Sequence, residues 1–298
     1  MILNPIPWPN GARCAAAITF DMDADSLLHI DHPKDSLSKI SAMSMLRYGP
    51  EVGVPRILEG YRRYGLRQTF FIPAWCIEQY PKTVEAIVAD GHEVGFHGYI
   101  HEAPNSLSEE DERYWMERSI EVIERFTGKR PRGNRSPLYH FSDNTADLLI
   151  DQGFLYDSSL MGDDIPYLLK TDAGGLVELP THWGIDDWPP YVHSLELDYV
   201  MQVMSPTRAM EGFREEFEAA YEAGGLWIGV WHPFVSGRLS RWRQVDKLIE
   251  DMVGRGDVWL ATLEDIARHV IATRDSGSYQ PRVDRLPYYD KPVMPIKR

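Results

Sequence analysis

Ala15-Ala16-Ala17-Ile18-Thr19-Phe20-Asp21-Met22-Asp23-Ala24-Asp25 is an apolar run of strand length that ends in two carboxylates one residue apart. Such a run reads as a buried strand. The carboxyl ends of buried strands are where α/β sheets and barrels build their sites. Burying Asp21 and Asp23 together is costly unless something compensates them, and a cation is the usual solution. A cation needs further ligands, and the chain supplies candidates.

Strand and helix patterns alternate downstream. Helical patterns cover about 54–64, 81–90, 106–127, 142–152, 206–223, 241–254 and 263–273. Strand patterns fall at 68–73, 93–97, 132–136, 154–157, 176–180, 226–233 and 258–261. Ser106-Leu107-Ser108-Glu109-Glu110 is a helix start with a serine cap and acids in the first turn. The alternation predicts a parallel sheet of α/β class, and seven or eight such units in 298 residues predict a closed or nearly closed, distorted (β/α) barrel. One domain over 1–298 is expected, with its core at about 12–270 and an extended Pro- and Tyr-rich tail at 276–298. Residues 25–53, rich in Ser, His and Met, read as a long irregular loop of the kind that forms a lid or binding segment.

Composition narrows the function classes. Apolar content of 43% and charged content of 26% are those of an ordinary globular protein. A net charge of −14 with no basic run argues against a nucleic-acid partner. The N-terminus lacks the basic start and apolar core of a secretory signal, and no stretch approaches the ~20 apolar residues of a membrane span. Cys14 and Cys76 are too few for a disulfide scaffold and sit in apolar surroundings, so a cytoplasmic location is expected.

His97-Gly98-Tyr99-Ile100-His101 places two imidazoles four residues apart, on a strand end that curls into a turn. With Asp21 and Asp23 at the end of another strand, two imidazoles and one carboxylate describe a catalytic zinc-type or iron-type site with open positions for water. A water acidified by such a metal needs a base. Asp23 as ligand and Asp21 as base divide that labour; the alternative is Asp21 as mere support for a ligand. His232 ends the most apolar strand, where a satisfied core histidine is the default. At the same barrel end as the metal it becomes the general acid for the leaving group. Arg135 also ends a strand and would compensate a buried aspartate. Asp186-Asp187-Trp188 offers an acid to orient His232 and an aromatic wall, and Tyr139, Trp183, Trp188 and Trp231 are candidate pocket aromatics.

Asp21-Met22-Asp23, His97-x-x-x-His101, Arg135-Ser136-Pro137, Asp187-Trp188 and His232-Pro233, in that order, resemble the five motifs of the polysaccharide deacetylase (NodB-homology, carbohydrate esterase 4) superfamily. The resemblance covers about residues 12–270. It implies a distorted barrel and a divalent metal, usually zinc, held by Asp23, His97 and His101. It implies Asp21 as base braced by Arg135, His232 as acid, and the backbone N–H of Leu138, after Pro137, at an oxyanion hole. Met22 between the two aspartates and His232-Pro233-Phe234-Val235-Ser236-Gly237-Arg238 look more like a cytoplasmic, often tetrameric branch. That branch includes the Helicobacter-type peptidoglycan deacetylase, cyclic imide hydrolases and allantoinase-like proteins. The implied reaction is hydrolysis of a non-peptide C–N bond in an N-acetylated sugar or a small cyclic imide or ureide, with Arg238 and residues 25–53 setting substrate choice.

Two other classes compete. A metal-poor small-molecule binding protein could use the same barrel. A haloacid-dehalogenase-type phosphatase would use Asp21-x-Asp23 with Gly162-Asp163-Asp164 as its later acidic motif, leaving both histidines without a role. The run Asp21, Asp23, Asp25 also mimics a calcium loop, but Ser26 and His32 stand where glycine and glutamate are required.

Overall fold

Both faces of the central strand are buried, yet its residues alternate in what they touch. In the computed structural model, which describes residues 2–289 and 291, β1 spans Cys14–Asp21. Cys14, Ala16, Ile18, Phe20 and Met22 pack with the helices in one core. Ala15 and Ala17 pack with Phe71, Tyr156, Ile228 and Val230 in a second. The period of two carries the second face on through Thr19, Asp21 and Asp23, so small apolar residues give way to polar ones as the strand reaches the mouth.

Around β1 lie β2 (Thr69–Ile72), β3 (Glu93–Phe96), β4 (Gly133–Asn134), β5 (Tyr156–Asp157), β6 (Tyr167–Lys170), β7 (Gly175–Glu178), β8 (His193–Ser194), β9 (Tyr199–Val200), β10 (Leu226–Trp231), β11 (Val258–Leu260) and β12 (Val283–Arg285). The main sheet runs β10-β1-β2-β3-β4-β5-β7-β6-β12, with β11 added to β1. β1 pairs with β10 from Ala15 to Phe20, while its other edge is shared by β11 at Cys14–Ala16 and β2 at Phe20–Asp21. The ladder of named strands does not run continuously round the barrel. Its open side, beside β10, is spanned by irregular chain: Leu226 N donates to Asp164 O at 3.1 Å and Asp187 N to Val230 O at 3.1 Å. This is the distorted, nearly closed α/β barrel expected.

Two expectations need correction. Residues 25–53 are mostly helical, with helices Ser26–Asp31 and Ile40–Tyr48 and a π-type turn Gly49–Gly53. Leu28, Ala42 and Leu46 bury themselves against the body, a helical spacing masked by the Ser and Met between them. The sheet is not wholly parallel, since β6 and β7 form an antiparallel hairpin. Where described, the tail adds β12 parallel to β6, and residues 290 and 292–298 fall outside the described residues. Cys14 and Cys76 are buried core residues with free thiols.

Gly133 shows how tightly the interior is filled. A Cβ built there would meet Tyr156 Cζ at 1.9 Å, because that ring crosses β4 to donate its hydroxyl to Glu93 at 2.7 Å. Gly133→Ala is expected to lower stability by about 3 kcal/mol or more, since overpacking is compounded by the loss of a donor to a buried carboxyl. Thermal unfolding would reveal it, and a melting temperature within 2 °C (about 1.3 kcal/mol or less) of wild type would contradict it.

Candidate active site

Asp21 and Asp23 share a face because the strand geometry continues past β1. Met22 N donates to Phe71 O at 2.8 Å, and Met22 itself is fully buried on the other side. The chain then turns at Ala24, with φ of 48°, and Ser26 closes the turn on Asp23 O.

His97 follows β3 directly. Gly98 (φ 74°) and His101 (φ 70°) are both left-handed, so the His97–His101 spacing is that of a tight turn and not of a helix. Glu102 holds this turn by accepting Tyr99 N and Ile100 N, each at 2.7 Å. Sequence reasoning missed Glu102; an acid directly after the second histidine was the available signal. The two rings meet edge to face with centroids 4.9 Å apart.

These side chains converge. His97 Nε2 lies 3.3 Å from Asp23 Oδ1, and His101 Nε2 lies 3.7 Å from Asp23 Oδ2. His97 Nδ1 bonds Arg135 O at 2.5 Å, a contact that requires its proton there and points Nε2 toward Asp23. Burial works to raise the Asp23 pKa, but His101, His97 and His232 around it hold it well below the usual carboxylate range. Burial pushes His101 down to about 4, so it is neutral at pH 7. Asp23 Oδ1 is buried without a hydrogen-bond partner, an orphan that a cation would satisfy. Ligand atoms of Asp23, His97 and His101 all lie within 4.8 Å of one another.

Arg135 is fully buried beneath them. Its Nη1 donates to Asp21 Oδ1 at 2.8 Å and to Thr19 Oγ1 at 2.7 Å, while Nε and Nη2 donate to Ser158 O and Oγ at 3.0 Å each. His232 faces Asp23 Oδ2 through Nε2 at 3.4 Å, while Nδ1 bonds Asp187 Oδ1 at 2.7 Å. Burial opposes protonation of His232, but Asp187 raises its pKa to about 10. Asp187 is itself fixed by His232 N, which donates to its carboxylate at 3.1 Å.

Above this floor opens a cavity of about 530 Å³. Leu138, Tyr139 and Trp188 line it as expected, together with Trp183, which packs edge to face on Tyr139. Leu138 and Tyr139 have left-handed φ of 57° and 59°. With Ala24 and His101, four of the six non-glycine residues of positive φ among the described residues thus cluster at this mouth, where strain is retained for function. Leu27, Ile30 and Asp31 form one rim and Leu197 and Tyr199 the other, and the two sides are tied by His32 Nε2 on Glu196 O at 2.6 Å.

Two expected residues are elsewhere. Arg238 does not line the cavity: its guanidinium stacks 3.7 Å over the Tyr48 ring. Trp231 is fully buried in the helix-side core between Phe20, Phe213 and Trp227, because its strand position points away from the mouth. The phosphatase reading also fails on geometry, since Asp163 pairs with Arg282 at 3.0 Å and neither it nor Asp164 lines the cavity.

Behind Arg135 sits a second buried carboxyl pair. Asp157 accepts Ser159 N at 2.9 Å and Ser159 Oγ at 2.8 Å, and shares a proton with Glu178. Burial and the adjacent Asp157 raise the Glu178 pKa well above normal, so Glu178 carries that proton. The native state therefore binds a proton that the unfolded chain loses above about pH 4.3, and stability falls as pH rises from there toward the raised value, by up to about 1.4 kcal/mol per pH unit. Glu178→Gln supplies the same donor permanently. Unfolding at pH 5.5 and 8.5 is expected to show a smaller alkaline loss in the variant, and equal pH slopes would refute the shared proton.

A polysaccharide deacetylase family model matches residues 34–156. The chain is 31% identical to the peptidoglycan deacetylase of Helicobacter pylori over 246 residues, 74% of this chain and 84% of that one. It is 31% identical to peptidoglycan deacetylase-like protein FGM2 of Gibberella zeae over 265 residues, 78% of this chain and 74% of that one. Its fold is similar to a Mycobacterium smegmatis crystal structure assigned to the polysaccharide deacetylases, with a TM-score of 0.90, 36% identity and 99% of both chains covered. It is also similar to Puue allantoinase, with a TM-score of 0.80, 26% identity, and 91% and 95% covered. Sequence, fold and the ordered strand-end residues agree: the chain belongs to the polysaccharide deacetylase family, hydrolases acting on carbon–nitrogen bonds other than peptide bonds.

Proposed function

We propose that this protein is a divalent-metal hydrolase, with zinc the best match to its donor set, and that its substrate is a small amide and not a polymer segment. The observation that carries the reading is Asp23, ionised, buried, and with one oxygen unpartnered between two imidazoles. Asp23, His97 and His101 would hold the ion. When bound, it would polarise an amide carbonyl and acidify a water.

The protein's own groups then divide the proton traffic. Asp21 Oδ1 is tied to Arg135, which leaves Oδ2 at the cavity floor to take the proton of the attacking water. His232, protonated through Asp187, donates from Nε2 to the departing nitrogen. Ser136 and the Leu138–Tyr139 turn wall the side where the carbonyl oxygen would lie, consistent with a Leu138 N–H donor.

The cavity supports the choice of substrate size. Its volume of about 530 Å³ suits a ligand of one or two rings, and five chain segments surround it. The names of the curated relatives favour a second reading, an N-acetylated amino sugar, and the likeness to an allantoinase favours a cyclic ureide. Zinc-loaded enzyme should be tried on cyclic imides, ureides, N-acetylglucosamine and its oligomers. Turnover of the small amides with little on the oligomers is expected; the reverse order would overturn the size argument, and activity on none would overturn the hydrolase reading of this cavity.

A single catalytic domain, a cytoplasmic setting and a homotetramer belong to the same proposal. No helix among the described residues is long and apolar enough to cross a membrane. Sedimentation of the full chain would test the assembly.

A further inference from the structure

The cavity differs from wall to wall in charge as well as in shape. Away from the floor, the ionisable carboxyls that line it are Asp186 and Asp31, and among the described residues no lysine or arginine lines it. Nearby arginines are engaged elsewhere: Arg135 lies under the floor on Asp21 and Ser158, Arg238 stacks on Tyr48, and Arg241 stacks on Tyr191. Asp186 is 3% exposed, yet it reaches the cavity. Its Oδ1 accepts Trp188 N at 2.7 Å and its Oδ2 accepts the Tyr139 hydroxyl. One donor on each oxygen leaves further acceptor capacity on both. The carboxylate is thus held rigid by backbone and phenol, with spare lone pairs at the cavity wall.

We propose that Asp186 is a specificity residue: it accepts N–H donors on the part of the substrate beside the scissile bond, next to His232, and with Asp31 it makes the pocket favour neutral or cationic amides over anionic ones. A substrate anion placed there would face Asp186 directly; the protonated His232 ring, within 4.8 Å of it, is already committed to Asp187 and Asp23, so it offsets only part of a repulsion that is strong at low dielectric. A neutral ring N–H or an ammonium instead completes the acceptor's unused capacity. This inference rests on the cavity being the substrate site of a small-amide hydrolase.

The test is calorimetric binding of three ring-matched ligands to the full chain in the Asp21→Asn background, which keeps bound ligand from being consumed. The ligands are hydantoin, its 5-(2-aminoethyl) derivative and its 5-(2-sulfonatoethyl) derivative; a sulfonate is chosen because it ligates divalent ions poorly. The neutral and cationic ligands are expected to bind at least about tenfold more tightly than the sulfonate, the size of one favourable charge contact. Asp186→Asn, with an amide that can both donate and accept, is expected to narrow that ratio to about threefold or less. If Asp186→Asn fails to fold, Asp31→Asn on the exposed rim carries the same comparison with a smaller narrowing. Equal or tighter sulfonate binding, a ratio unmoved in the folded variant, or no binding of any of the three overturns the proposal. Turnover is measured separately on the zinc-loaded wild type. Hydantoins that bind in the expected order but are not hydrolysed would defeat the proposed reaction and leave the Asp186 assignment standing.

Discussion

Asp21→Asn is expected to lower turnover by about 10³-fold, within the range seen when a positioned base is removed. The substitution keeps shape and lets an amide oxygen still accept from Arg135, but it removes the group able to take a proton at the cavity floor. It leaves Asp23, His97 and His101 in place, so ion uptake should persist within a few-fold of wild type. Stability should fall as well, by about 3 kcal/mol, because Arg135 is fully buried and loses its counter-charge. That part of the loss has its own control. Arg135→Met combined with Asp21→Asn removes the orphaned charge and should recover stability without recovering activity. Kinetics with metal analysis and melts on the three proteins would check each statement, and an Asp21→Asn enzyme within tenfold of wild-type kcat would remove Asp21 from its role.

His97→Ala is the second large effect, and it falls on binding. His97 lies within 3.3 Å of Asp23 Oδ1 and is oriented by the Arg135 carbonyl, so its loss removes a donor and the order imposed on it. Ion affinity should drop by more than the 10- to 100-fold typical of losing a supporting partner, that is, by at least about 100-fold. His232→Ala is the contrast. Its Nε2 is almost as close to Asp23, at 3.4 Å, but its other nitrogen is committed to Asp187 and it is protonated at neutral pH. A protonated imidazole cannot ligate, so His232→Ala should keep the ion and lose turnover. Equilibrium dialysis of the two variants separates the roles; ion loss in His232→Ala with retention in His97→Ala would reverse them.

The likeness to known deacetylases bears on these variants without replacing them. It accounts for hydrolysis of a C–N bond, whereas the cavity's volume and charge bear on which molecule carries that bond. The rim residues Leu27, Ile30, Leu197 and Tyr199 come from segments far apart in the chain, and their meeting is what makes the cavity small.

Residues at strand ends were legible because their geometry is local. Once 15–25 is a strand, a period of two puts Asp21 and Asp23 on one face, and an apolar run ending at His232 delivers that side chain to the same end of a parallel barrel. The serine cap before Glu109 and the helices at 54–64 and 206–223 followed from capping and spacing in the same way, since helix and strand signals depend on neighbours a few residues apart. Contacts between distant segments carried no such signal. Nothing near Arg238 foretold that it would stack on Tyr48, nothing near Trp231 that its face of the strand would be the core, and nothing near Asp157 that Glu178 would share its proton. The sequence by itself determined which side chains stand at the ends of the strands. Only the tertiary structure decided which of them meet, how much room is left above them and what charge that room presents, because pair distances and desolvation depend on the closure of the whole barrel and not on spacing along the chain.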